Sequence, residues 1–406
     1  MSLDDKSIEK VLILEAGAKA ALPIIESCGQ MGLYVIAASP RKGCGSYSKY
    51  TKQRLIYPSP RLYPQECLDF LLNFLKQQDI SVLFPVGDLM TDLVAQNHKL
   101  FSEYTKFVLP LYETFIKGRD KILTLKSATK AGCPIPQTWY PDEHGIEKVV
   151  EICYYPNLIK PAIGVGSRGF ILCKTRQELL DSFEENQKIY GRCFVQEFVP
   201  QTGLQYKVDA IFDKFQNLLA GVVYAKLRYY PADGGSSVLN KTEKRPDILT
   251  SALKVMKELN WVGFCDFDFI TDPRDNVVKL MEINPRYPES YRATVAAGVD
   301  MTKIIYQLAE GQNPQPQLDY LENRYTRFLF GDIMWFLTTK QNRWTAKPSF
   351  FSFFRKDMNY QLLRANDFGP IYGYIISNLS MLWDKEHREF RLRLKKNRKT
   401  DSVLSR

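Results

Sequence analysis

Two carboxylates separated by one aromatic residue, mirrored further along by a carboxylate, an amide and an arginine, are the groups in this sequence best placed to do chemistry. They lie between Trp261 and Arg286, in Trp-Val-Gly-Phe-Cys-Asp-Phe-Asp-Phe-Ile, then Thr-Asp-Pro-Arg-Asp-Asn, then Val-Val-Lys-Leu-Met-Glu-Ile-Asn-Pro-Arg. Aromatic and β-branched flanks around a Pro, Asp and Asn centre predict a β-hairpin. Side chains alternate faces along a strand, so Asp266 and Asp268 share one face and Phe267 and Phe269 the other. On the second strand Glu282 and Asn284 face opposite to Met281 and Ile283. Folding the hairpin can bring Asp268 near Glu282 and Asn284. Such an oxygen set suits Mg²⁺, which takes carboxylates together with phosphate oxygens and water. Pro285 ends the strand and lets Arg286 point at the same surface. The competing reading is a surface hairpin with scattered charges.

A second constellation precedes it. Leu158-Ile-Lys-Pro161 reads as a short strand ending in Lys160, followed by Gly164-Val-Gly-Ser-Arg-Gly169 and a further strand at 170–173. A glycine-rich loop lets backbone N–H groups approach phosphate oxygens, and Lys160 and Arg168 add charge. Without Lys160 the loop would read as an ordinary hairpin turn. Phe194 to Pro200 is a strand running into a linker, where Glu197 and the backbone after it could meet an adenine edge. Lys226 and Arg228 lie two apart on a strand at 220–229, hence on one face, and are candidate substrate contacts. Asp88 follows Pro85-Val-Gly at the carboxyl end of a strand at 80–85. Ligands of open α/β sheets bind at such ends, although Asp88 reads equally well as a helix cap.

These groups need elements to hold them. Residues 11–15, a helical pattern through Ile24, Ile25 and Met31, and a strand at 33–38 make a βαβ opening. The turn Glu15-Ala-Gly-Ala-Lys-Ala20 lacks the G-x-G-x-x-G fingerprint, so it reads as scaffold rather than a nicotinamide site. A helix near 64–78 follows. Gly118-Arg-Asp-Lys121 opens a helix closing at Ala131-Gly132, and Cys133-Pro-Ile-Pro136 enforces an extended exit. Further strands are expected at 205–209 and 220–229, a flexible loop at 233–237, a helix at 246–260, and a helix over 287–309 before a Pro/Gln-rich linker at 311–317.

Size and composition narrow the possibilities. At 406 residues there is room for two or three domains. No run reaches the roughly 18 apolar residues of a membrane span, and no secretory signal is visible. Eight cysteines form no C-x-x-C pair, which fits free thiols in a reducing cytoplasm. The three histidines are too few for a His-rich metal site or triad. Of the formal charge of +10, much lies in Lys385 to Lys399, with eight Lys/Arg against two Glu. Zinc-finger spacing and RNA-recognition aromatics are missing, so a nucleic-acid partner is not expected. From 328 onward the chain is aromatic and basic. Phe330 to Trp335 and Pro348 to Arg355 look helix-like. The apolar stretch 369–383, with Tyr372, Tyr374 and Trp383, would either dock on the second domain or lie at a membrane interface.

Asp120-Lys121, Lys160-Pro161, the Gly164–Gly169 loop, Gln196-Glu-Phe-Val199, Asp268 and Glu282-x-Asn284-Pro-Arg286 resemble, in order and spacing, the ATP-grasp superfamily over about residues 1–310. The resemblance implies an α/β chain: a Rossmann-like pre-ATP-grasp domain at 1–114, a two-lobed α+β ATP-grasp domain at 115–315 with a lid at about 134–196, and a helical C-terminal extension at 316–406. It implies that Lys121 and Lys160 contact ATP phosphates, that Gly164, Gly166, Ser167, Arg168 and Gly169 close over them, and that Glu197 and the Val199 backbone hold adenine. Asp268, Glu282 and Asn284 would bind Mg²⁺, and Arg286 would stabilise the transferring phosphoryl group or an acyl phosphate. The ribose position, usually Glu, is Gln205 here. The implied activity is ATP-dependent ligation of a small-molecule carboxylate to an amine. The tail is similar to that of ATP-grasp proteins of bacterial surface-polysaccharide assembly, which implies a cytoplasmic enzyme with peripheral contact at the inner face of the membrane. A homodimer, and a non-catalytic nucleotide-binding regulator or scaffold, stay open as alternatives.

Overall fold

The computed structural model describes residues 8–383 apart from 165, 167 and 232–234. The first part of the chain is a parallel four-stranded sheet, in spatial order Thr51–Ile56, Tyr34–Ser39, Lys10–Ile13 and Ile80–Phe84. Its central strands read as continuous apolar runs because helices cover both faces. On one face Val11, Ile13 and Val35 pack with Ile24 and Ile25 of helix Ala21–Gln30. On the other, Leu12 and Ile36 pack with Leu71 and Leu75 of Pro64–Gln77 and with Met90 and Val94 of Asp88–Gln96. The strand Thr51–Ile56 was not legible beforehand. Its sequence Thr-Lys-Gln-Arg-Leu-Ile alternates half-buried with exposed positions, as an edge strand does.

The hairpin at 261–286 forms as expected, from Gly263–Thr271 and Val278–Asn284. Asp266 lies opposite Asn284 and Asp268 opposite Glu282. The hairpin opens a seven-stranded sheet that continues through Gln205–Phe212, Leu218–Tyr230, Ser236–Thr242, Tyr325–Arg327 and Met358–Tyr360. Cys265, Phe267 and Phe269 face a core shared with Val255, Met256 and Leu259 of helix Pro246–Leu259. On the opposite face Phe264 joins Ile211, Val222 and Tyr224 against the N-terminal sheet and its helices. The alternation that buries the phenylalanines thus turns Asp266 and Asp268 toward the N-terminal part of the molecule.

A smaller antiparallel sheet, in order Thr138–Trp139, Cys193–Glu197, Asn157–Pro161 and Ile171–Cys173, is backed by helices Ile146–Ile152 and Arg176–Tyr190 through Val149, Val150, Leu179 and Phe183.

Four expectations are corrected. The helix expected over 287–309 is two, Arg292–Ala296 and Met301–Ala309, divided at Gly298, whose φ of 87° belongs to the left-handed region. The C-terminal extension is not wholly helical. It contributes helices Leu329–Thr338 and Gly369–Trp383, but Tyr325–Arg327 and Met358–Tyr360 are strands of the central sheet. Residues 348–355 form turns rather than a helix. The carbonyls a helix would use are taken: Pro348 O accepts from Arg228 and Phe350 O from Arg327 at 2.8 Å. The Arg327 guanidinium also lies over the Phe350 and Phe353 rings. The stretch 369–383 is a helix whose first half docks on the N-terminal part and not, as expected, on the second domain: Asp367, just before it, accepts from Ser48 Oγ at 2.7 Å, and Gly373 lies against Gly43. The basic run after Trp383 lies outside the described residues.

Candidate active site

Asp120 fixes the first cation. Its carboxylate accepts from the Ile122 and Leu123 N–H groups at 2.8 and 3.1 Å, capping helix Lys121–Lys130. That cap sets Lys121 in the first turn, where Nζ donates to Gly164 O at 3.0 Å and pairs with Glu282 Oε2 at 3.2 Å. One lysine therefore ties the glycine loop of the small sheet to the hairpin of the large one. Lys160 is buried at the end of its strand, with Nζ donating to Gln196 Oε1 at 2.6 Å and lying over the Phe170 ring. Burial pulls its ammonium down to about 8; nearby Lys121 acts in the same sense and Glu282 against it. Gly166 and Gly169 both have positive φ, and a Cβ on Gly169 would come within 2.7 Å of Pro161. The loop thus keeps a backbone that side chains would block. Ser167 lies outside the described residues, and Arg168 is exposed.

The metal-binding expectation can be tested against the donors present. Asn284 Nδ2 reaches Asp266 Oδ2 and Asp268 Oδ2, each at 3.1 Å, and Glu282 sits across from Asp268. The sequence reading missed Lys207. Its Nζ pairs with Asp266 Oδ2 at 2.5 Å and Asp268 Oδ2 at 2.9 Å, and Lys226 pairs with the other Asp268 oxygen. Burial disfavours the Asp268 carboxylate, yet the two lysines hold its pKa well below the usual range. Asp266 is raised to about 6 by burial against the opposing pull of Lys207. Among the described residues no three acidic, His or Cys side chains gather to hold a metal alone. Two carboxylates supply hard oxygen donors, and the Asn284 amide, whose nitrogen faces the acids while its oxygen accepts from Arg286, joins them on turning over; that set fits Mg²⁺ when phosphate oxygens complete the shell. The signal for Lys207 was in Gln205-Tyr-Lys-Val-Asp209: the strand beside Gly263–Thr271 places Lys207 directly opposite Asp268.

Arg286 links this face to the parallel sheet. Nε donates to Asp88 Oδ2 at 3.3 Å and Nη2 to Asn284 Oδ1 at 3.4 Å, with Asp266 Oδ2 at 3.7 Å. Asp88 begins helix Asp88–Gln96 but makes no cap; it pairs with Arg286 and, at 3.8 Å, with Arg119. The capping alternative is therefore not the one adopted.

Residues 118–290 match the family model described as an ATP-grasp domain. The chain carries an ATP-grasp domain. It is 22% identical over 328 residues to pyruvate carboxylase of Bacillus subtilis, a match covering 77% of this chain and 28% of that protein. The chain thus spans little more than a quarter of this curated relative. Among solved structures it is similar to the biotin carboxylase–ATP analogue complex of Campylobacter jejuni, with a TM-score of 0.66, 17% identity, and 79% and 74% of the two chains covered. A similar likeness, with a TM-score of 0.64, 17% identity and coverages of 79% and 74%, holds for the biotin carboxylase domain dimer of Hydrogenobacter thermophilus 2-oxoglutarate carboxylase with MgADP and bicarbonate.

Within the ATP-grasp domain the remaining expected contacts are placed unevenly. Glu197 is buried, and its carboxylate accepts from Gln137 N at 2.9 Å and Arg274 Nη2 at 2.7 Å, with Lys279 at 3.4 Å. That side chain braces the small sheet against the hairpin turn and is not open toward an adenine amine. Val199 O accepts from Gln201 Nε2 at 2.9 Å. Gln205 accepts from Lys226 Nζ at 3.3 Å, which sets both at the rim of the acidic face. Arg228 is not with them. A register shift after Lys226 sends it to the C-terminal extension, where it pairs with buried Asp332 at 3.0 Å and lies over Trp335. It is a structural residue.

Proposed function

We propose that this protein is an ATP- and Mg²⁺-dependent ligase that activates a carboxylate as an acyl phosphate and transfers the acyl group to an amine. The observation that carries the reading is Lys121, held between the Gly164 carbonyl and Glu282: phosphates seated there would lie under the glycine loop and above the oxygen ligands at once. Lys160, whose ammonium burial pulls down to about 8, would be held in its charged form by an arriving polyphosphate, because an opposite charge favours the charged form. Glu282, Asn284 and Asp268 would hold Mg²⁺, which when bound offsets charge on the phosphoryl group in transfer. For Asp268 to serve, Lys207 and Lys226 must share it with the metal or let go. Arg286, braced by Asp88 and Asn284, offers fixed N–H donors where charge develops on the acyl phosphate. Closure of the small sheet would keep water from that intermediate.

The likeness to structures solved with an ATP compound or MgADP supports the nucleotide and the metal. The dimer of the Hydrogenobacter thermophilus domain supports a homodimer as the oligomeric state to test first. We further propose a cytoplasmic enzyme that contacts anionic membrane through the basic residues after Trp383, in support of a lipid-linked polysaccharide substrate. No helix among the described residues is long and apolar enough to cross a membrane. The direct test is ADP release by the full chain against carboxylate and amine libraries that include sugar acids, with Glu282→Gln as control. ADP release that needs both partners, and is lost in the variant, is expected. Tight MgATP binding without turnover on any pair would instead favour a regulator, a reading that the clamping of Asp268 by two lysines also supports.

A further inference from the structure

Helix Leu329–Thr338 turns one face inward and leaves the other bare. Asp332 and Trp335 are buried against Arg228 of the central sheet. Phe330, Ile333, Met334 and Leu337 all stand exposed. Their spacing of i, i+3, i+4 and i+7 makes one apolar stripe, the kind a helix ordinarily turns toward a core. Here no element among the described residues covers it.

Aromatic contacts extend the stripe in both directions. Phe330 meets Tyr374 of helix Gly369–Trp383 with ring centroids 5.1 Å apart, and that helix exposes Tyr372, Ile375 and Leu379. On the other side Trp344 and Phe351 stack at 6.0 Å, and both meet Phe336 edge-on. Leu337 is 60% exposed, Trp344 70% and Phe354 100%. These rings rest on a fixed base. Phe350 is buried beneath them and stacked on Phe336 at 4.3 Å, under the Arg327 guanidinium that pairs with Asp332. Exposed apolar surface on this scale marks a protein or membrane contact.

The charge around the patch chooses between the two. From Ile333 to Lys356 the sequence has Lys340, Arg343, Lys347, Arg355 and Lys356 and no acidic residue. Arg355 is paired with Asp357, and Arg343 donates to Phe336 O at 2.7 Å. Among the described residues Lys340, Lys347 and Lys356 pair with no acid. A second copy docking on this face about a two-fold axis would present the same cations to one another. An anionic bilayer answers both features. Its acyl chains receive apolar side chains, indole rings sit at the headgroup level, and the phosphates draw the lysines.

We propose that this face is a membrane-docking surface, which beds Leu337, Trp344 and Phe354 into the headgroup–acyl boundary of an anionic leaflet while Lys340, Lys347 and Lys356 meet its phosphates. This contact shares its lipid with the one proposed for the residues after Trp383 and rests on that reading for it. The tail attracts and the folded face penetrates; two weak signals together give stable attachment where either alone gives a transient one.

Co-sedimentation of the full chain with phosphatidylcholine vesicles, with and without phosphatidylglycerol, tests this at physiological salt. Binding is expected to the anionic vesicles and not to the neutral ones. Leu337→Asp and Phe354→Asp each put a carboxylate on an exposed side chain. Nucleotide affinity and thermal unfolding should therefore not move, while partitioning falls by about tenfold or more. Penetration is read by fluorescence. Trp139, Trp261 and Trp335 are buried, so in a Trp383→Phe chain acyl-brominated lipid should quench Trp344, and Trp344→Phe should remove that quenching. Equal binding to neutral vesicles, no quenching at Trp344, or full partitioning of both Asp variants overturns the proposal. So does a wild-type dimer that the Asp variants split with no vesicle binding by either form, which would make the face a seam between copies. Loss of sedimentation on deleting 384–406, with the Asp variants unaffected, leaves only the tail. The reverse pattern sinks the tail reading and keeps this surface.

Discussion

Lys160 is a lysine taken out of water with one neutral hydrogen-bond partner, and its cost is recovered only if an anion arrives. Lys160→Ala should therefore weaken ATP binding by one to two orders of magnitude, on the order of 1.4 kcal/mol for each tenfold, and AMP binding far less, because AMP lacks the outer phosphates. Calorimetry with both nucleotides checks this; an equal loss for the two would make Lys160 a packing residue. At the metal face, Glu282→Gln should keep the thermal unfolding profile and lose Mg²⁺-dependent ADP release, since the amide keeps the shape without the charge. Glu15 gives a pH signature. Burial raises its carboxyl from 4.5 to about 7, against N–H groups of Met90 and Gly87 and with help from Asp88 and Glu289. Between those values the folded state binds more protons than the unfolded state. Its stability advantage is present below 4.5 and lost as pH rises through 7. Glu15→Gln should thus stabilise the protein at pH 8, by on the order of 2 kcal/mol, and make little difference at pH 4.5; denaturant melts at the two pH values read this directly.

At the level of elements, the hairpin was legible because two physical requirements coincide in it. Phe267 and Phe269 need a core, and Asp266 and Asp268 cannot share it, so a period of two follows. The same argument placed Lys160 at a strand end and Asp120-Lys121 at a helix start. It failed for Lys207 and Glu15 for a different reason. Each is one charged residue on an otherwise apolar strand or turn, and its meaning comes from a neighbour distant in sequence: Asp268 for Lys207, Gly87 for Glu15. It failed for Arg228 because a register shift cannot be read from spacing. That helix Gly369–Trp383 docks was one of the two readings, but its seat on the N-terminal part was not legible, since it depends on glycines meeting. A Cβ on Gly373 would stand 2.5 Å from Gly43 O and 2.7 Å from the Tyr47 ring. Gly373→Val should lift this helix, at a cost of about 1–3 kcal/mol, and expose the segment around residue 365 to limited proteolysis. An unchanged cleavage pattern would mean the helix is seated by other contacts.

For the molecule as a whole, the C-terminal extension is part of the central sheet rather than an appendage to it. Asp332 is fully buried between Arg228 and Arg327. Removing one partner of a buried ion group leaves uncompensated charge, so Asp332→Ala should cost about 3–5 kcal/mol, measurable by urea denaturation, although it lies outside the proposed cleft. The residues beyond Trp383 are a separate matter. If they contact anionic lipid at about 1 kcal/mol per basic residue, deleting 384–406 should abolish low-salt co-sedimentation with anionic liposomes and leave ADP release intact. Retention of sedimentation would move the contact to the exposed aromatic rings of Trp344, Phe351 and Phe354.

The strand order has a consequence for how the chain is made. Ser236–Thr242 takes its outer neighbour from Tyr325–Arg327, which in turn needs Met358–Tyr360, and Arg228 waits for Asp332. On the ribosome, everything through the glycine loop and the hairpin emerges and can fold while that edge is still bare and that arginine unpaired. A nascent chain halted between 287 and 325 would hold all the proposed phosphate and metal ligands yet present an open strand, the template on which β-sheets aggregate. Synthesis must run past residue 360 before that edge is covered, so stops between the hairpin and Met358–Tyr360 should yield insoluble protein rather than a smaller enzyme.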